Sequence, residues 1–240
     1  MRPAAGPAQR ADMDTAAIFR SAVTGLEAGM QQQSQARSEV VFENQPPPRK
    51  LAPFAAAVGA TVYAPEPGSR AVLPDTDDEI GWGSFVLLYD PAGQTGWDGA
   101  FRIIAYVRAD LEPEIAADPL IGQVGWSWLT EALDARAAGY RLPSGTVTRV
   151  VTEGFGAKQG EPVTTGFELR ASWSPAGPAA VRPRAVAADA GTQAGPPDLA
   201  PPDLGGHIAA WCDALCMAAG LPPLPAGVSQ LRPPRSRRRA

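Results

Sequence analysis

Two hydrophobic periods run along this chain, one helical and one of period two, and between them they assign most of its elements. Ile18, Phe19, Ala22, Val23 and Leu26 recur at helical spacing, which predicts a helix from Asp14 as N-cap to Gly29 as stop. The polar run Gln31 to Ser38 reads as a linker, and Glu39 to Glu43 suits a brief strand. Pro46, Pro47 and Pro48 exclude helix and make a stiff connector. In the run FAAAVGATVYA after Pro53, Val58, Thr61, Val62 and Tyr63 outweigh the alanines and favour a strand. Residues 65–79 read as a flexible acidic loop.

The β pattern is clearest in Trp82 to Tyr89 and Ala100 to Val107, which are rich in β-branched and aromatic residues. Asp90, Pro91, Gly93, Gly96 and Gly99 between them are turn residues, so the two strands should pair antiparallel. Arg102 and Arg108 bracket the second strand and are expected to reach solvent or a carboxylate at its edge. The segment RADLEPEIAADPL follows, with Asp110, Glu112, Glu114 and Asp118 cut by Pro113 and Pro119. A helix is then expected from Ile121 to Arg136, ended by Gly139. On its wheel Val124, Trp128, Leu129, Ala132 and Leu133 form the apolar arc, with Trp126 at the far edge and Ser127, Glu131 and Asp134 facing away. Trp126 and Trp128 lie about half a turn apart and cannot stack on one ligand.

Pro143, Ser144 and Gly145 read as a turn into the strand Thr146 to Glu153. A strand over Val163 to Trp173 completes a second hairpin, Phe167, Leu169, Ala171 and Trp173 alternating with Glu168, Arg170 and Ser172. Residues 174–202 are Pro/Ala/Gly-rich and are expected to be a disordered insertion. Asp203 should cap a last helix in which Ile208, Trp211, Cys212, Leu215 and Ala219 share a face, stopped by Gly220. The sum is an α+β domain over residues 14–223, an antiparallel sheet of about five or six strands flanked by helices. Residues 1–13 and the basic tail 224–240 are expected to be disordered.

Composition narrows the functional classes. The 26 prolines and 25 glycines together exceed a fifth of the residues, and 12 of the prolines lie at the ends and in the late insertion, leaving an ordered part large enough to bury its own core. A net charge of −4 does not suggest a nucleic-acid binder overall. The N-terminus lacks the apolar run of a secretory signal, and no later segment approaches a membrane span, so a cytoplasmic location is expected. Cys212 and Cys216, four residues apart on one predicted helix, fit a reducing compartment.

Candidate chemistry is sparse. The acidic segment could divide general-acid and general-base roles between two carboxylates, or it could be a solvated loop that caps the next helix and pairs with Arg102 or Arg108. The patch to test is Arg108, Asp110, Glu112, Glu114 and Trp126. His207 is the only histidine, which excludes any site needing two. On one helix it diverges from the cysteines, so no zinc set and no Cys–His pair converges there. The glycines at 154, 156 and 160 match no phosphate-binding fingerprint. No metal or cofactor is expected.

The strings LYDPAGQTGWDGAFRIIAYVRADLEPEIAADPL, WSWLTEAL, SGTVTR, ELRASW and AAWCDALC, with the PPPRKLAP connector, resemble DUF3000, a family of uncharacterised actinobacterial proteins. The likeness covers about Thr15 to Pro223. It carries over no activity, and this chain is longer than usual there in 174–202 and at both ends. The element order is similar to the α-β-β-β-α-β-β-α layout of secretion-chaperone-like and YbjN-like proteins. The leading expectation is a non-catalytic protein-binding or accessory module. Its alternatives are a carboxylate-based hydrolase or metal-assisted enzyme at residues 108–118, and an RNA-associated accessory protein; the basic tail itself reads as a solubility tail that would touch nucleic acid only weakly.

Overall fold

Alanine, glutamine, arginine and glutamate are strong helix formers, and over the first segment of the chain their density outweighs two glycines. In the computed structural model, which describes residues 7–64, 79–176 and 201–223, helix α1 therefore spans Pro7–Ala36, well past both expected ends. Gly29 is not its stop. A Cβ there would collide with the Ile208 side chain and come within 3.2 Å of Gly205 Cα, so the residue is a point of close helix contact. The stretch read as a polar linker is its last two turns, where Gln33 is buried.

The sheet follows. Strands β1 (Val40–Gln45), β2 (Phe54–Tyr63), β3 (Glu79–Tyr89) and β4 (Phe101–Asp110) form an antiparallel meander. The acidic segment is shorter than expected, because β4 runs on to Asp110 and Pro113 opens a single-turn helix α2 (Pro113–Ala117) with Glu114 in its first turn. Helix α3 is Ile121–Ala135. Its stop is Ala137, not Gly139. With φ of +51° Ala137 completes a Schellman closure, in which Ala138 N–H donates to Leu133 O at 2.9 Å and Ala137 N–H to Asp134 O at 3.0 Å.

Strand β5 (Tyr140–Thr152) starts six residues earlier than its pattern suggested, because Pro143, Ser144 and Gly145 lie within the strand at an irregularity between Arg141 and Ser144. A loop with one 3-10 turn (Gly156–Lys158) leads to β6 (Thr164–Pro175), and α4 (Gly205–Ala218) ends the described chain. The expected second hairpin is present, but inserted backwards. The strand order is β1-β2-β3-β4-β6-β5: the chain leaves β4, crosses α2 and α3 to the far edge, and returns inward. The fold is α+β, an open antiparallel six-stranded sheet with its helices on one face. Of the segments expected to be unstructured, residues 1–6, 65–78, 177–200 and 224–240 lie outside the described residues. Residues 7–13, by contrast, are helical.

Packing follows the period-two pattern. Phe85, Leu87, Ile103, Ala105, Val107, Phe167, Leu169 and Trp173 turn to the helices and are buried. Helix α4 sits against α1, α3 and the central strands and is buried on nearly every side, so the one-sided face expected for it understates its position. Trp211 anchors it, donating Nε1–H to Tyr106 O at 3.1 Å. Asp203 accepts from Gly205 N–H at 3.0 Å just before its first turn, and Gly220 (φ +78°) closes its end. Helix α3 lies so close to the sheet that a Cβ on Gly125 would overlap the Phe167 ring. That approach rotates the buried stripe to Ile121, Gly125, Leu129, Ala132 and Leu133 and leaves Val124, assigned inward by the wheel, 40% exposed.

Candidate functional site

With every described helix on one side, the other side of the sheet carries no helix among the described residues, and the strand register decides which residues meet there. Trp82 on β3, Arg108 on β4 and Glu168 on β6 form one cross-strand row. Ser84, Tyr106 and Arg170 form the next. The Trp82 and Tyr106 rings lie edge to face with centroids 5.6 Å apart, and the Arg170 guanidinium stands 5.2 Å from the Tyr106 centroid. Arg170 also pairs with Glu168 at 2.6 Å. Burial, and then the charge and hydrogen bond of Glu168, push the Tyr106 phenol above its ordinary range, so it stays a neutral donor at physiological pH. Each contact is small on a wet surface, roughly 0.5–1 kcal/mol for the cation–π contact and less than about 1 kcal/mol for the ion pair. Their joint effect is to hold two aromatic side chains in fixed orientations on an otherwise open face.

Nearer the β3–β4 turn, the same face holds a different cluster. Arg102, only 7% exposed, donates to Leu142 O at 3.1 Å, to Ser172 Oγ at 2.7 Å, to Ser144 Oγ at 3.3 Å and to Ser174 Oγ at 3.4 Å. These partners are neutral, so the expectation that Arg102 reaches solvent or a carboxylate is corrected. Burial lowers its pKa from the usual arginine value. It ties β4, β6 and β5 together where the backbone of β5 is irregular, with Leu142 at φ +48°. The Asp98–Arg141 pair at 3.3 Å and the bond from Asp98 N–H to Ser174 Oγ close this corner.

The residues singled out from sequence are spread over three places. Arg108 and Asp110 are exposed at the end of β4 and share the parity of the open face. Glu112 precedes α2 and Glu114 lies in its first turn, both exposed. Asp118 accepts from Leu120 N–H at 2.8 Å at the start of α3. Trp126 is in the helical layer, its ring against Gly145 of β5, so the sheet separates it from Arg108 and Asp110. Trp128 packs on Phe167 instead, with centroids 5.4 Å apart. Trp82, Tyr106, Glu168 and Arg170 escaped the sequence reading. Their parity within each strand was readable, but the β4–β6 pairing that brings them together was not.

The remaining polar groups of note are internal. His207 Nδ1 accepts from Trp173 Nε1–H at 3.2 Å, which puts its own proton on Nε2, and burial lowers its pKa to about 4. The thiols of Cys212 and Cys216 are free and buried, and a hydrogen bond to Cys216, followed by burial, holds Cys212 well above the usual thiol range. Asp213, on the same helix, accepts from Arg136 at 2.7 Å and 2.8 Å and lies 3.7 Å from Arg37 Nη2, which donates to Pro222 O at 2.9 Å, while Arg37 Nη1 reaches Glu39 at 3.2 Å. This charge network clamps the ends of α1 and α3 to α4. Among the described residues, no group of three His, Cys, Asp or Glu side chains could hold a metal ion.

A family model described as a protein of unknown function (DUF3000) matches residues 15–229. The chain belongs to this family. No curated protein and no solved structure matches the chain. The matched stretch of the DUF3000 chain takes in the whole sheet, helices α2 to α4, the aromatic patch and the Arg102 cluster. No helix among its described residues is long and apolar enough to cross a membrane.

Proposed function

We propose that this protein is a non-catalytic protein-binding module whose docking surface is the open face of the sheet around Trp82, Tyr106 and Arg170. The observation that carries the reading is the edge-to-face aromatic pair with a guanidinium over it, fixed on the side of the sheet opposite the helices. Tryptophan, tyrosine and arginine are the residues that dominate protein–protein binding energy. Side chains already held in place lose little further freedom on association. A folded protein partner fits this patch better than a polyanion does. Glu168 sits inside it and Asp110 beside it, and the chain carries a net charge of −4, whereas single-stranded nucleic acid needs a cationic track along its phosphates. A reducing, cytoplasmic setting is supported by two buried cysteines that remain unpaired four residues apart on one helix.

The test is site-specific photo-crosslinking in cells. A crosslinker at Ser84, inside the patch, should capture a defined protein that a crosslinker at Val124, on the helical side, does not, and Trp82→Ala should abolish the capture. Equal capture at both positions, or capture indifferent to Trp82→Ala, removes the open face as the binding surface. Retention of single-stranded RNA by the folded chain at physiological salt, lost with Arg108→Ala and Arg170→Ala, would favour the RNA alternative.

A further inference from the structure

The sheet has two edges, and they are protected unequally. Strand β1 spans only six residues and runs directly into Pro46, Pro47 and Pro48, which cannot extend a ladder. Strand β5 spans thirteen residues and is exposed along nearly its whole length. Its edge-blunting features, Pro143 and the irregularity between Arg141 and Ser144, sit at its beginning. From Thr146 to Thr152 it reads TVTRVVT, a β-branched run with one charge, and among the described residues no strand lies beyond its outer backbone N–H and C=O groups. Exposed apolar side chains gather at this end of the edge: Val151 is 59% exposed and Phe155 77%. Phe155 also has an extended backbone, with φ −126° and ψ 160°. A long exposed edge of β-branched residues is a template for another strand.

We propose that the occupant of this edge is a second copy of the chain, paired antiparallel through β5 about a two-fold axis at Val151. The choice of axis follows from the side chains. Residues directly opposite share a face, and this register alone among the neighbouring ones sets Arg149 against Glu153 of the other copy. A register two residues away, centred on Arg149, would oppose two arginines. The Val151 axis also sets Val147 against Phe155 of the other copy, Val150 against Thr152, and Val151 against itself. Val147, Arg149 and Val151 have one parity, that of the helical face, where Val147 packs on the core and Arg149 donates to Asp118 O at 3.2 Å, and Glu153 and Phe155 continue the same alternation in sequence just past the strand's end. Opposite charges, β-branched pairs and an aromatic–valine pair are the cross-strand combinations that stabilise antiparallel ladders. The result is a continuous twelve-stranded sheet in which both open faces remain available. A single strand pair buries area at the low end of stable interfaces, so the dimer is weak and concentration-dependent.

The test uses the full chain with Val151→Cys or, in parallel, Thr148→Cys, oxidised over a range of concentrations. Cys212 and Cys216 are buried and do not compete. The Val151→Cys protein should form a covalent homodimer, because the two copies of residue 151 face each other. The Thr148→Cys protein should not, because position 148 faces Gly154 of the other copy. Sedimentation should show a monomer–dimer equilibrium whose dissociation constant rises about tenfold with Glu153→Arg, an exposed substitution that sets like charges opposite each other. A chain that stays monomeric at the highest concentration overturns the proposal. So does equal cross-linking through both cysteines, a Glu153→Arg protein that dimerises as before, or an adduct of the Val151→Cys protein formed only with a different protein.

Discussion

His207 offers the sharpest test of the packing. The perturbation is a fall in pH. In the unfolded chain the imidazole titrates at its ordinary value of 6.5, and in the folded chain burial lowers this to about 4, with Asp203 opposing only part of the shift. Below pH 6.5 the unfolded state therefore binds a proton that the native state refuses, so stability is full above that value and is lost as pH falls towards 4. The loss from this group alone is about 2 kcal/mol at pH 5 and about 3 kcal/mol at pH 4. Carboxylates titrate over the same range, so the measurement must be a difference. His207→Gln keeps an oxygen that can accept from Trp173 Nε1–H but carries no proton in this range. Urea unfolding of both proteins at pH 7 and pH 5 should show the native chain losing about 2 kcal/mol more than the variant. Equal losses would mean that His207 is protonated in the folded state, or is not buried against Trp173, and the account of this corner of the core would be wrong.

The charge clamp and the two helix contacts yield three further predictions. Asp213→Asn should cost about 1–3 kcal/mol in urea unfolding, because Arg136 and Arg37 lose their shared buried carboxylate while Arg37 keeps its pair with Glu39; a cost below about 0.5 kcal/mol would show the network to be solvated. Gly125→Ala should destabilise by about 1–3 kcal/mol through overlap with Phe167, and an unchanged midpoint would place α3 farther from the sheet. Ala137→Gly should raise the stability by about 0.5–1 kcal/mol by relieving a left-handed alanine; a loss instead would mean that the Schellman closure of α3 is not formed in solution.

Much of the secondary structure was legible because each element obeys one period over enough residues. The alternation Phe167, Leu169, Ala171, Trp173 against Glu168, Arg170, Ser172 gave β6 its buried face, and those four side chains are buried. Boundaries slipped where a local signal competed with propensity or with packing. Gly29 looks like a helix stop in one dimension, but it is the place where α1 and α4 touch. Arg102 looks like an edge charge, but it ends up buried under a cluster of hydroxyls. The candidate site was the least legible part. The acidic run stood out because its members are close in sequence, whereas Trp82, Tyr106, Glu168 and Arg170 come from three strands.

By itself, the sequence determined the fold class, the central hairpin, the two-sided character of β6 and the family. These depend on interactions within one turn of helix, or between neighbours on one strand, and such interactions are written in the order of residues. The tertiary structure decided that β6 inserts between β4 and β5, that every described helix lies on one face, and hence that an aromatic–arginine patch and a long bare edge exist at all. Strand pairing joins residues dozens of positions apart, and the free energy that selects it comes from burying β6 in the centre rather than from any local preference. The same selection leaves β5, with its hydroxyls and valines, at the rim.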